Sequence, residues 1–126
     1  MANELILIVE DDEKSRKLVR DVLTFKGYTI VEAETGEEGV RLAQERRPSL
    51  VLMDIRLPGI DGIQALGRLR AEDATRAIPV MAMTASVMTN DRQKVLDAGF
   101  DSFQSKPIKI KDFLAAVEQL LERHRG

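Results

Sequence analysis

The sequence predicts an α/β domain: a parallel sheet with helices on both faces. Three observations carry this. The runs Leu5-Ile6-Leu7-Ile8-Val9, Leu50-Val51-Leu52-Met53 and Ile78-Pro79-Val80-Met81-Ala82-Met83 are apolar without alternation, as suits strands buried on both faces. Segments with apolar residues at helical spacing lie between the strands, so strand and helix alternate along the chain. A length of 126 residues allows one domain with a single core, residues 1–126.

The first strand, Leu5 to Val9, is stopped by Glu10-Asp11-Asp12. Asp12 suits the N-cap of the first helix, where Leu18, Val19, Val22, Leu23 and Phe25 recur at helical spacing. Gly27 ends that helix. Tyr28-Thr29-Ile30-Val31 reads as a second, less apolar strand. Thr35 or Gly36 caps a second helix marked by Val40, Leu42 and Ala43 and closed before Pro48. The third strand is Leu50 to Met53, and Asp54 follows it. Asp61 caps a third helix carrying Ile63, Leu66 and Leu69, with Gly67 inside it at a cost of about 1 kcal/mol. Pro79 sits at the start of the fourth strand, since proline cannot donate to a central ladder. Thr84 follows that strand. A fourth helix spans Asn90 to Ala98, anchored by Val95 and Leu96, and ends at Gly99. Phe100 to Phe103 alternates as a half-exposed fifth strand, and Ser105-Lys106-Pro107 comes after it. The last helix runs from Ile110 to Arg123, with Phe113, Leu114, Val117, Leu120 and Leu121 on one face.

Strands two and five are the more polar and belong at the edges. The doubly wound, flavodoxin-like order 2-1-3-4-5 meets this condition, and its direction reverses between strands one and three. Ligands in such sheets bind beyond the strand C-terminal ends at that reversal. Glu10, Asp11 and Asp54 are placed there.

Composition narrows the chemistry. Cysteine is absent and His124 is the only histidine, which removes thiolate and multi-histidine metal sites and Ser-His-Asp catalysis. A net charge of −2 gives no reason to expect nucleic acid. No apolar run approaches a membrane span, and Met1-Ala2-Asn3-Glu4 brings no basic segment before Leu5. A cytoplasmic protein is the expectation. Three converging carboxylates would repel one another and raise at least one pKa. A hard divalent cation such as Mg2+ relieves that repulsion and shares ligands with a phosphate. Thr84 can donate a hydroxyl hydrogen bond to a phosphoryl oxygen, and Lys106 brings a point charge for phosphate or for free Asp54. Each of these residues alone is ordinary: a turn aspartate, a capping loop, a surface lysine. Their meeting at one sheet edge points to phosphoryl chemistry at Asp54.

The stretches Ile6-Leu7-Ile8-Val9-Glu10-Asp11-Asp12, Met53-Asp54-Ile55-Arg56-Leu57-Pro58-Gly59-Ile60-Asp61-Gly62, Met83-Thr84-Ala85 and Ser105-Lys106-Pro107 resemble, in order, the CheY-like receiver domains of two-component response regulators. Within that family the chain is most similar to stand-alone regulators of the DivK type, through Val9-Glu10-Asp11, Leu52-Met53-Asp54-Ile55 and Ser105-Lys106-Pro107-Ile108. The resemblance implies that Asp54 is the phospho-acceptor and that Asp11, Asp54 and the backbone carbonyl of Arg56 bind Mg2+, with Glu10 acting through water. Mn2+ is expected to substitute. It implies that Thr84 and Lys106 hold the phosphoryl oxygens, that the Lys106-Pro107 bond is cis, and that Arg56 and Ser86 tune loss of the phosphoryl group. Thr84 and Phe103 become the switch pair. A histidine kinase or histidine phosphotransfer protein would be the donor, and a downstream protein would read the face of helix four, strand five and helix five. No nucleic-acid or membrane partner is implied. If 126 residues are the natural length, such a protein acts by binding partners.

Two rivals stand against this. Haloacid-dehalogenase-like phosphatases also place a nucleophilic aspartate after a strand, but need a second aspartate two positions on as general acid. Position 56 is arginine. A degenerate receiver would signal by binding alone, although every phosphate-handling position is filled here. The expected protein accepts and slowly loses its own phosphoryl group and is not a turnover enzyme on other substrates.

Overall fold

Five strands and five helices alternate along the chain, in a computed structural model that describes residues 4–84 and 89–125. They are β1 (Leu5–Val9), α1 (Glu13–Phe25), β2 (Thr29–Ala33), α2 (Gly36–Arg46), β3 (Leu50–Asp54), α3 (Gly62–Ala71), β4 (Val80–Thr84), α4 (Thr89–Asp97), β5 (Ser102–Ser105) and α5 (Ile110–Arg125). All strand pairs are parallel, in the order β2-β1-β3-β4-β5. The two more polar strands form the edges, because a central strand has both faces covered by helices and tolerates only apolar side chains.

The expectation of a single core is refined. The sheet divides the buried apolar residues into two layers by strand parity. Leu7, Val9, Val51, Met53, Val80 and Ala82 face one layer with Val40, Leu66, Leu69 and Val95. Ile6, Ile8, Leu50, Leu52, Met81 and Met83 face the other with Val19, Leu23, Phe113 and Val117.

Several boundaries shift for reasons of hydrogen bonding. Tyr28 is not in β2: its N–H donates to the Leu23 carbonyl at 3.2 Å and closes α1, whose exit passes through Gly27 at φ 94°. β2 then runs on to Ala33, because each of its five residues pairs with one of β1. Pro79 precedes β4, and its carbonyl accepts from Val51 N–H at 3.0 Å. β5 begins at Ser102 rather than Phe100, which is buried ahead of the strand. Its residues are all half-buried instead of alternating. On the helices, Leu18, Phe25, Ile63 and Leu96 are exposed, although the sequence assigned them to apolar faces. Leu18 and Leu96 are each rotated by about 100° from a buried neighbour, Val19 or Val95. The caps hold: Asp12, Thr35 and Asp61 each accept the N–H three residues on, and Asp61 with Gln64 completes a capping box. Among the described residues no helix is long and apolar enough to cross a membrane.

Candidate functional site

The apolar residues Leu50 to Met53 draw β3 into the centre of the sheet, and its last residue, Asp54, goes with them. Asp54 is only 6% exposed. Ile55 N–H donates to the Met83 carbonyl at 3.1 Å, extending the β3–β4 ladder past the aspartate. Arg56 N–H then turns back to Asp54 Oδ1 at 3.2 Å. The loop closes through Gly62 N–H on the Ile55 carbonyl at 2.9 Å. A Cβ at Gly62 would lie 2.3 Å from the Asp54 carbonyl oxygen, so the approach needs glycine.

Glu10 arrives from β1. Its N–H bonds the Ala33 carbonyl at 3.0 Å, and only 4% of the residue is exposed. Asp11 next to it is exposed. Asp12 N–H donates to Glu10 Oε2 at 3.2 Å while the Asp12 side chain caps α1 through Ser15 N–H. Carboxylate oxygens of Glu10, Asp11 and Asp54 all lie within 4.8 Å of one another.

Lys106 closes the cluster from the far side. Its backbone N–H donates to the Thr84 carbonyl at 2.8 Å, and the following peptide, Lys106-Pro107, is cis. Its ammonium donates to Glu10 Oε1 at 2.5 Å and to Asp54 Oδ2 at 3.0 Å. Thr84 is buried at the end of β4. In the register Thr84 faces Ser105, and Ala82 faces Phe103. Thr84 and Phe103 therefore lie on one sheet face, one diagonal step apart. A cleft of about 580 Å³ runs from Phe103 past Lys106 to Lys109 and Asp112. The sequence-predicted residues Glu10, Asp11, Asp54, Thr84 and Lys106 thus share one edge. Arg56 takes part through its backbone, and its side chain is exposed. Ser86 lies outside the described residues.

Burial, and then the neighbouring Asp54, push the Glu10 carboxyl up to about 7, against the pull of Lys106. Burial pulls the Lys106 ammonium down, but its hydrogen bonds to Glu10 and Asp54 outweigh that and hold it above its ordinary value. One ammonium thus faces two buried carboxylates, with a third beside them. This surplus of hard oxygen donors fits a small divalent cation.

One residue was missed. Arg16 donates from Nη1 to the Glu10 carbonyl at 2.9 Å. In the sequence it is one of several charges on α1. Only its place six residues after Glu10, on the side of α1 turned to the sheet, could have marked it.

Known proteins match this chain in sequence and in fold. The family model of the response regulator receiver domain matches residues 6–118. The polar-differentiation response regulator DivK of Brucella anthropi is 38% identical over 116 residues, which cover 92% of this chain and 94% of the relative. The receiver domain of a sensor histidine kinase from Pseudomonas aeruginosa, solved with a magnesium ion coordinated in its active-site cleft, superposes with a TM-score of 0.89 at 31% identity, over 95% of this chain and 98% of that one. A CheY-like receiver domain protein from Methanospirillum hungatei superposes with a TM-score of 0.86 at 27% identity, over 98% and 97% of the two chains. These matches displace the phosphatase alternative. The chain belongs to the response regulator receiver domains of two-component signal transduction, with DivK among its relatives.

Proposed function

We propose that Asp54 accepts a phosphoryl group from a histidine kinase or histidine phosphotransfer protein in a Mg2+-dependent reaction, and that the chain, as a single receiver unit in the cytoplasm, passes the change to a partner protein. The observation that carries this is the convergence of Asp54 with Glu10, Asp11 and Lys106, three carboxylates within 4.8 Å and one shared ammonium. The match over 94% of the DivK relative supports the single-domain reading.

Arg56 N–H and Lys106 each hold one Asp54 oxygen, which fixes the plane of the nucleophile before attack. An Asp54 oxygen attacks phosphorus in line; the new O–P bond forms as the P–N bond of the phosphohistidine breaks. The imidazole leaves with the electron pair. Asp11, Asp54 and the Arg56 carbonyl would hold Mg2+, with Glu10 acting through water and Mn2+ able to replace the ion. When bound, the ion neutralises charge on the phosphoryl oxygens. Lys106 follows one of those oxygens with its flexible stem, and Thr84 donates its hydroxyl to another. Water later hydrolyses the acyl phosphate, at a rate tuned by Arg56 and Ser86. Turning of Thr84 toward the phosphoryl group frees space on the face it shares with Phe103, which moves inward. The new charge thereby shifts a population between two packings of α4, β5 and α5, the face presented to the downstream partner.

Incubation with acetyl phosphate and Mg2+, read by mass spectrometry, tests this. One added phosphoryl group is expected on the wild type and none on Asp54→Asn. Labelling that persists in the variant would refute the acceptor assignment.

A further inference from the structure

The acidic β1–α1 turn is held from behind by an arginine. Arg16 lies in the second turn of α1, with its side chain only 14% exposed. Its Nη1 donates to the Glu10 carbonyl at 2.9 Å and its Nε to Glu32 Oε1 on β2 at 3.1 Å. Glu34 lies 3.7 Å from the same guanidinium. Arg20, one turn further on, braces Glu32 through both carboxylate oxygens at 3.0 and 3.2 Å.

The Glu10 carbonyl belongs to the peptide that joins Glu10 to Asp11. The N–H of Glu10 is already fixed on Ala33. With Arg16 on the carbonyl, the backbone is pinned on both sides of Glu10, and the peptide plane that aims Asp11 is set. An arginine serves here because its planar fork satisfies a carbonyl and a carboxylate together, and such charge-assisted bonds are strong. A tie between α1 and β2 alone would need only the Glu32 contact. The bond to Glu10 links that tie to the carboxylate cluster.

We infer that Arg16 is a positioning residue for the phosphoryl site: acting through the Glu10-Asp11 peptide, it sets the affinity of the acidic cluster for the divalent ion. The inference rests on the reading that Glu10, Asp11 and Asp54 hold that ion. Arg20 provides the control, since it shares the Glu32 brace and reaches Asp21 rather than the turn.

Mn2+ binding to the full chain, followed by loss of the free-ion paramagnetic resonance signal, is the test. Arg16→Gln should weaken binding about 10- to 100-fold, the usual range for a residue that orients a metal ligand. Arg20→Gln should change it by less than about twofold. Arg16→Lys should recover part of the loss, since a point charge cannot span both acceptors. The Mg2+ concentration for half-maximal Asp54 labelling should rise by the same factor, with the rate at saturating Mg2+ retained. Wild-type affinity in Arg16→Gln, with Asp11→Asn abolishing binding, overturns the role of Arg16 and leaves the metal site standing. Undiminished binding in Asp11→Asn removes the acidic-cluster reading and this inference with it. If Arg16→Gln does not fold, Arg16→Lys decides: a loss below about threefold overturns the inference.

Discussion

Glu10 is the residue whose behaviour departs furthest from its type. Its carboxyl titrates at about 7 in the folded chain against 4.5 for an ordinary glutamate, from burial first and Asp54 second. The folded state therefore holds the Glu10 proton more tightly than the unfolded state does. By linkage, stability without divalent ion is greatest below pH 4.5 on this account and falls as pH rises through the window from 4.5 to about 7. Between pH 5.5 and pH 8 the expected loss is on the order of 2 kcal/mol, measurable as a lower denaturant midpoint at pH 8 than at pH 5.5. Glu10→Gln should flatten that dependence, and saturating Mg2+ should offset it. Lys106→Met is a second test at this scale. It removes the one ammonium between Glu10 and Asp54, and should slow Asp54 labelling by about 10²-fold or more, with the circular dichroism spectrum retained. Asp54, Thr84 and Lys106 were legible in the sequence because each lies at or just past the end of a recognisable strand. The burial of Glu10 was not legible, since it depends on an extra ladder bond to Ala33 that only the paired strands reveal.

At the scale of elements, what the sequence could and could not show divides along hydrogen bonding. Apolar runs, alternation or helical spacing marked each strand and helix, and capping residues marked the starts of α1, α2 and α3. Their limits were set by partners elsewhere. Tyr28 goes to α1 because its N–H reaches Leu23, and β5 begins at Ser102 because its residues pair with Met81 to Thr84. Helix faces blurred for a related reason: a nearly continuous apolar stretch such as Leu18-Val19 does not say which of two neighbours turns inward. The β3–α3 turn gives this scale its prediction. Gly62 passes so near the Asp54 carbonyl that any Cβ collides with backbone, which cannot rotate away as a side chain can. Gly62→Ala should cost about 1–3 kcal/mol in chemical denaturation. Because the displaced atom belongs to Asp54, the variant should also label more slowly, whereas Gly67→Ala, with open space around its Cβ, should label like the wild type.

The whole molecule separates its chemistry from part of its stabilisation. The carboxylate cluster lies at the C-terminal end of β3 and just past that of β1. At the opposite edge, Arg70 of α3 donates to the carbonyls of Arg76 and Ile78 at 2.8 and 2.7 Å and to Asp101 at 2.8 Å. Asp101 in turn accepts the N–H of Val80 at 2.8 Å, at the start of β4. Arg70→Ala should lower stability by about 1–2 kcal/mol, seen as a lower urea midpoint, while Asp54 labelling at 25 °C proceeds at the wild-type rate. Slowed labelling in a fully folded variant would show that the two edges are coupled. By itself the sequence determined the alternation of strand and helix, the order 2-1-3-4-5 and the carboxylates that gather at the reversal of that order, because local periodicity and strand polarity carry that information along the chain. Only the tertiary structure decided how the apolar residues divide into two layers, how deeply Glu10 is buried, and that Arg16 reaches back to its carbonyl. Each of these depends on distances between segments far apart in sequence, which a linear pattern does not contain.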